Sequence, residues 1–134
     1  MNAIVTSAAL AVAFTVSTLV PASAAQLVVK LNAVGGTKEM GRAVLTDVLG
    51  AAPVVKVSIT VANEPAGAVQ PSHIHKGVCG SNGPITKPLH SVVNGQSVTM
   101  LPGVTVAQIK AMGSYINIHK SAGQLTVIVS CGNI

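Results

Sequence analysis

The sequence predicts a single all-β domain, an antiparallel sandwich or barrel with one short helix. Apolar and polar residues alternate along about eight short segments, which is the pattern of half-buried strands. Valine and isoleucine, which favour strands, fill most of the apolar positions, and the chain has one tyrosine, one phenylalanine and no tryptophan. Segments rich in glycine, proline and asparagine separate the alternating stretches. The core must therefore be built from aliphatic side chains packed between two layers or inside a barrel.

Residues 1–25 are predicted to be a signal peptide, which leaves residues 26–134 as the folded domain. Residues 3–20 are apolar apart from a few hydroxyl side chains, and the small-residue run 21–25 follows them. This pattern is typical of a secretory signal that is cut after Ala24 or Ala25. A membrane anchor is the alternative, but the uncharged stretch is short and ends at Pro21. The sequence thus predicts a secreted or periplasmic protein with no membrane attachment after cleavage.

Four strands are predicted in the first half of the domain, over residues 27–34, 40–48, 55–62 and 68–75. The third is the clearest, because aliphatic residues from Val55 to Val61 alternate with polar or small residues. Gly35-Gly36 separates the first two strands, and loops at 50–53 and 63–67 separate the others.

Four more strands are predicted in the second half, over residues 85–93, 96–101, 114–120 and 124–131. Asn94-Gly95 predicts a tight hairpin between the first two of them. Residues 105–112 are predicted to form the helix, since Thr105 and Gln108 have the spacing of a capping box. In the last strand, Leu125 and Val127 are predicted to share one face with Val129 and Cys131.

The charge balance gives little support for a nucleic-acid partner. The chain carries 8 basic and 3 acidic residues, a net charge of +5, and all of them lie after residue 25. The lysines are scattered rather than clustered, and with Tyr115 as the single aromatic residue after residue 25 there is no platform on which bases could stack. We interpret the positive charge as a solvated surface.

Two cysteines in an exported chain predict one disulfide, between Cys79 and Cys131. A reactive or metal-binding thiol pair is the alternative. The bridge would close a loop of about 50 residues and stabilise a small core that has no large aromatic rings.

The motif His73-Ile74-His75 is the strongest chemical signal in the sequence. In an extended strand the two histidines share one face, about 6 to 7 Å apart, while Ile74 points the other way into the core. His119 ends a strand on which Tyr115 and Asn117 share its face. The functional interpretation is a metal site of three imidazoles, and the alternative is an exposed polar face that binds nothing.

Further candidates are weaker. His90 is a surface histidine or a fourth metal ligand, and Tyr115 and Asn117 either orient a ligand or are ordinary surface residues. The methionines of the folded part are too dispersed for a copper cluster and are predicted to fill the core. They are Met40, Met100 and Met112.

No catalytic residues are predicted. The carboxylates of Glu39, Asp47 and Glu64 lie on different segments, which disfavours a paired-carboxylate mechanism. The sequence also has no Gly-x-Ser-x-Gly elbow and no glycine-rich phosphate loop before a helix.

Three motifs resemble two known families. The segment from Ser72 to Gly80 resembles the copper-ligand strand of bacterial Cu/Zn superoxide dismutases, Tyr115 to His119 resembles a later copper-ligand strand, and Val129 to Ile134 resembles their cysteine-containing C-terminus. The CHRD domain family is equally similar, through His73-Ile74-His75, Asn82-Gly83-Pro84 and the strand ending at His119. Both resemblances imply an antiparallel Greek-key β-sandwich or barrel, and the first implies copper ligands at His73, His75 and His119.

The departures from the dismutase pattern concern its chemistry. The region that carries the zinc ligands in that family is reduced here to residues 80–84, without histidine or aspartate. Ile128 stands where the family has its active-site arginine, three residues before the last cysteine. Without this cation the focusing of superoxide is weakened. Copper is therefore preferred over zinc, and efficient dismutation is not expected.

The sequence thus predicts an exported copper-binding protein that holds or transfers copper, with a copper donor or acceptor protein as its partner. One alternative is a CHRD-type binding or structural module that needs no metal. The other is a weak copper-only superoxide dismutase.

Overall fold

The computed structural model describes residues 23–134, so most of the predicted signal peptide lies outside the described residues. Within this range the chain forms eight strands and one helix. These are β1 (Gln26–Ala33), β2 (Met40–Val48), β3 (Val54–Ala62), β4 (Val69–Lys76), β5 (Ile85–Val93), β6 (Gln96–Pro102), α1 (Val106–Ala111), β7 (Ser114–His119) and β8 (Ile128–Asn133). No helix in the described range is long and apolar enough to cross a membrane.

The strands of residues 23–134 form a closed antiparallel barrel in the order β1-β2-β3-β6-β5-β4-β7-β8. β4, β5 and β6 follow one another as hairpins, and β7 then returns to pair with β4, which is a Greek-key arrangement. The predicted all-β fold with one short helix is confirmed. β4 lies between β5 and β7, so the histidine motif is held from both sides.

The core is aliphatic, as the alternation predicts. Leu31, Leu45, Val57, Ile74 and Ile116 are all fully buried inside the barrel. Burying each such side chain contributes about 1.5 to 3 kcal/mol to folding.

The helix begins at the predicted capping box. Thr105 Oγ1 accepts a hydrogen bond from the Gln108 backbone N–H at 3.2 Å, and Gln108 Oε1 accepts one from the Thr105 N–H at 2.9 Å. Asp47 Oδ1 accepts a further bond from the Val106 N–H at 2.8 Å. The helix buries Val106 and Ile109 and so closes its side of the barrel.

Two sequence predictions are wrong. β8 begins at Ile128 instead of residue 124, and Leu125 and Val127 are 49% and 39% exposed because residues 120–127 form turns outside the barrel. The three methionines are not core residues either. Between 36% and 50% of their surface is exposed, since all of them project outward: Met40, Met100 and Met112.

The predicted disulfide is confirmed. Cys79 and Cys131 are joined across a sequence separation of 52 residues, with Cα atoms 6.0 Å apart. Cys131 is on β8 and Cys79 lies in the 77–84 segment, so the bridge fixes that segment against the barrel. The Cys79 N–H also donates to Asn133 Oδ1 at 2.7 Å, which strengthens the same attachment.

Replacing both cysteines by serine is expected to lower the free energy of unfolding by about 4 kcal/mol, because the open unfolded chain gains loop entropy. Urea unfolding of the oxidised protein and the double variant measures this difference. Val78→Ser, at an exposed neighbouring position, is the control and should change little. A double variant as stable as this control would contradict the prediction.

Candidate metal centre

The site is built on the outer faces of β4 and β7. The antiparallel register places His73 opposite Asn117 and His75 opposite Tyr115. Ile74 and its partner Ile116 point into the core and are fully buried. Side chains alternate along a strand, so His73 and His75, on either side of Ile74, point to the outer face. Burial of the isoleucines thus selects the face on which the imidazoles lie.

The structure brings His73, His75 and His119 together. One ring nitrogen of each lies within 4.8 Å of the others. The closest pair is His73 Nδ1 and His119 Nε2, which are 3.1 Å apart. His75 and His119 are buried and His73 is half-buried, so the cluster is sheltered but remains accessible at one side.

His75 is fixed in one orientation by the 77–84 segment. Its Nδ1–H donates to the Gly83 carbonyl at 2.8 Å, and because a carbonyl only accepts, the proton must be on Nδ1. Nε2 therefore carries the lone pair, and this atom is buried without a hydrogen-bond partner in the described residues. A backbone carbonyl that holds one imidazole nitrogen while the other is free is typical of metal-ligating histidines.

Tyr115 completes the support of this ring. Its ring stacks on His75 with centroids 5.2 Å apart and planes inclined by 23°. Its hydroxyl accepts a hydrogen bond from the Gly83 N–H at 3.0 Å. Tyr115 is fully buried, so Gly83 and His75 are held by one rigid side chain.

His119 has one ring nitrogen, Nε2, beside His73 and a second, Nδ1, that is buried. No well-formed hydrogen bond to Nδ1 is present within residues 23–134, but the backbone of Leu125 interacts with the His119 ring. Burial lowers the pKa of His119, and the nearby His75 ring lowers it further, although the backbone of Leu125 acts in the opposite direction. Burial likewise lowers the pKa of His73, helped by the rings of His119 and His75. Both shifts favour the neutral imidazole, which is the form that binds metal.

Of the other predicted site residues, His90 lies outside this cluster and Asn117 lies beside it. His90 is exposed on β5, where its Nδ1–H donates to the Val98 carbonyl at 2.8 Å, and it is not part of the histidine group. Asn117 is buried beside the cluster, on the face it was predicted to share with His119. Its Oδ1 has no hydrogen-bond partner in the part of the chain that is described. It also lines a cavity of about 260 Å³ that reaches Cys131.

The dimensions suit a transition-metal ion. His73, His75 and His119 would hold such an ion through their ring nitrogens, which are preferred ligands of copper and zinc. An ion bound through His75 Nε2 would supply the partner that this buried atom lacks.

Sequence reasoning missed the role of Gly83, although its motif Asn82-Gly83-Pro84 stands out in the sequence. Its carbonyl orients His75 and its N–H binds Tyr115. A side chain here would overlap the Lys76 carbonyl, so only glycine fits. No sequence pattern indicates this contact, because it depends on how a loop folds back over the strand.

No family model, curated protein or solved structure matches this chain.

Replacing Gly83 by alanine is expected to lower the free energy of unfolding by about 2 kcal/mol or more. The added methyl group would displace the loop and break two hydrogen bonds of about 1 kcal/mol each. The ring-nitrogen NMR signals of His75 should then show a mixture of tautomers. Gly123→Ala is the matched control, since nothing lies within 4 Å of a Cβ at that position. Equal stability and equal His75 signals in the two variants would refute the role of Gly83.

The metal-free protein is expected to lose stability as the pH falls below about 6.5. Because the pKa values of His73 and His119 are lowered from 6.5, the unfolded chain binds more protons than the folded protein in this window. Their contribution to stability is thus complete above this pH and is lost as the pH falls towards the lowered values. Urea unfolding in the presence of a chelator, from about pH 7.5 to about pH 5.5, measures the slope.

The double variant His73→Gln/His119→Gln should show a weaker dependence of the free energy of unfolding on pH. Burial raises the pKa of Glu39 above 4.5. Its effect on the pH dependence of stability is opposite to that of the histidines, because its contribution to the free energy of unfolding is lost as the pH rises. Glu39 is unchanged in the variant, so the difference between the two proteins isolates the histidines. Identical slopes would contradict the assignment.

Proposed function

We propose that this protein binds a copper ion through His73, His75 and His119 outside the cytoplasm, and holds or transfers it. The observation that carries this proposal is the convergence of three imidazoles, among which His75 Nε2 is buried and has no other partner in the described range. Buried polar atoms without partners are rare in proteins and need an explanation. A bound ion supplies one for His75 Nε2, the nitrogen whose lone pair is fixed.

The donor set favours copper. It consists of nitrogen atoms alone, since within residues 23–134 no carboxylate or thiol joins the group and both cysteines form the disulfide. Imidazole suits both copper and zinc, but copper is bound more tightly at a given nitrogen site. Three histidines do not complete a structural zinc site, which needs four protein ligands, but they do suit a catalytic zinc ion, so the preference for copper rests on its tighter binding.

The surroundings favour holding or exchanging the ion over catalysis. Groups that contact the histidines are neutral, namely the Gly83 carbonyl and the Tyr115 ring. His73 is half-buried, which leaves one side of the cluster open to a ligand from a donor or acceptor protein. The disulfide supports an extracytoplasmic location, because such bonds persist in oxidising compartments.

A second candidate function is a CHRD-type binding or structural module that needs no metal. One observation favours it: His73 Nδ1 and His119 Nε2 are at hydrogen-bond distance, 3.1 Å. With one nitrogen protonated they satisfy each other without an ion. This hydrogen bond would leave His75 Nε2 unpartnered.

Copper titration of the mature protein against a competing chelator tests the proposal. We expect one tight site, with nitrogen hyperfine structure in the electron paramagnetic resonance spectrum of the cupric form. His75→Ala should weaken binding by more than about 100-fold, because even loss of an outer partner of a ligand costs 10- to 100-fold. His119→Gln should have a similar effect, and circular dichroism verifies that both variants are folded.

His90→Ala is the control, since this exposed histidine lies outside the cluster. It should bind copper as the unaltered protein does. If His75→Ala binds equally well, the metal-free module is the better interpretation. A superoxide assay on the copper-loaded protein tests the remaining alternative, and a rate no higher than that of free copper would eliminate the weak dismutase.

A further inference from the structure

A second site lies at one end of the barrel, away from the histidine pair on β4. It is a cavity of about 450 Å³ between the β1–β2 connection, the β3–β4 loop and the β7–β8 loop. These segments are tied together around it. Thr37 Oγ1 donates to the Val129 carbonyl at 2.6 Å, and Asn63 Nδ2 donates to the Lys38 carbonyl at 3.0 Å. The loops around the cavity are therefore held in place, and its size is that of a small-molecule site.

Two buried polar side chains line this cavity. Glu39 is 2% exposed and Gln70 is 1% exposed, and Gln70 Nε2 donates to Glu39 Oε2 at 2.7 Å. The remaining oxygens, Glu39 Oε1 and Gln70 Oε1, are buried and have no partner among residues 23–134. Gln70 Oε1 is an acceptor, and so is Glu39 Oε1 when the carboxyl is ionised, so the partner that the ionised pair lacks is a donor.

The charges around the pair specify the donor further. Burial raises the pKa of Glu39, the hydrogen bond from Gln70 partly opposes this, and the neighbouring carboxylate of Glu64 adds a smaller increase. Glu64 Oε2 is itself buried without a partner in the described structure. Glu39 and Glu64 lie on different segments of the sequence, but the fold brings them close enough to interact. A cationic donor such as an ammonium group would relieve this repulsion and satisfy the free oxygens.

The rest of the cavity lining includes exposed lysines and apolar side chains. Lys38 and Lys120 are exposed cations that also line the cavity, and Pro65, Val127 and Val129 give it apolar walls. A bare divalent cation fits poorly, since it needs six or more oxygen ligands and the lysines would repel it. A molecule with an ammonium group, a carboxylate and an apolar body matches all three kinds of surface.

We propose that the barrel-end cavity binds a free α-amino acid with an apolar side chain. Glu39 and Gln70, whose side chains must turn to present their buried oxygens, accept hydrogen bonds from its ammonium group. Lys38 and Lys120 attract its carboxylate, and the proline and valines contact its side chain. None of the three clustered histidines lines this cavity, although Lys120 follows His119 in the chain, and the proposal does not depend on the proposed copper function.

Calorimetric titration of the metal-free mature protein with L-leucine tests this proposal. A chelator is present throughout, because amino acids bind copper themselves. We expect one leucine per chain. 4-Methylpentanoate, which lacks the ammonium group, and 3-methylbutylamine, which lacks the carboxylate, should each bind at least about tenfold more weakly.

Glu39→Gln should weaken leucine binding by at least about tenfold, since it removes the charge that meets the ammonium group. Lys120→Met changes an exposed residue and so should fold normally. It should weaken leucine binding while leaving 3-methylbutylamine unaffected. Lys56→Met, on the exposed face of β3, is the matched control and should bind leucine unchanged.

Three results would overturn the proposal. The first is no leucine binding to the unaltered protein. The second is equal leucine affinity in Glu39→Gln, Lys120→Met and the control. The third is that the unaltered protein binds calcium but not leucine and that Glu39→Gln abolishes the calcium binding. This result would identify the buried oxygens as a cation site.

Discussion

The pairing of β4 with β7 is the constraint on which the rest of the site depends. Ile74 and Ile116 are opposite one another and are both fully buried. A slip of one residue in this register would turn the histidines inward and the isoleucines outward. Burial of two large aliphatic side chains, worth about 1.5 to 3 kcal/mol each, opposes that slip. The geometry of the imidazoles is thus determined by hydrophobic packing on the opposite face of the same strands.

Much of the fold could be predicted because most strands have one face in the core. The alternation from Val55 to Val61 gives β3 within one residue, and the capping box gives the start of the helix. The same periodicity places His73 and His75 on one face. It fails at residues 124–127, where apolar and polar residues also alternate but the chain turns outside the barrel.

The environment of the site could not be predicted, since it is made by contacts between distant segments. The contact of Gly83 with His75 depends on the path of a loop, and the interaction of Glu39 with Gln70 joins residues 31 positions apart. Strand periodicity offers one clue to the latter. Since Ile74 points inward, Gln70, four residues earlier on the same strand, must also point inward. A buried glutamine needs a partner, but the sequence does not say which residue supplies it.

The unpartnered polar atoms of the described structure fall mainly at the two sites. His75 Nε2 and His119 Nδ1 are in the histidine cluster, and Glu39 Oε1 and Gln70 Oε1 are at the barrel-end cavity. Each such atom costs about 1 to 3 kcal/mol when nothing binds it.

The position of Tyr115 has a spectroscopic consequence. It is the only tyrosine in a chain that has no tryptophan, and its ring lies 5.2 Å from that of His75. The fluorescence of Tyr115 should therefore respond to metal binding at His75. A paramagnetic ion there would quench the emission, whereas a closed-shell ion of the same charge would leave most of it intact.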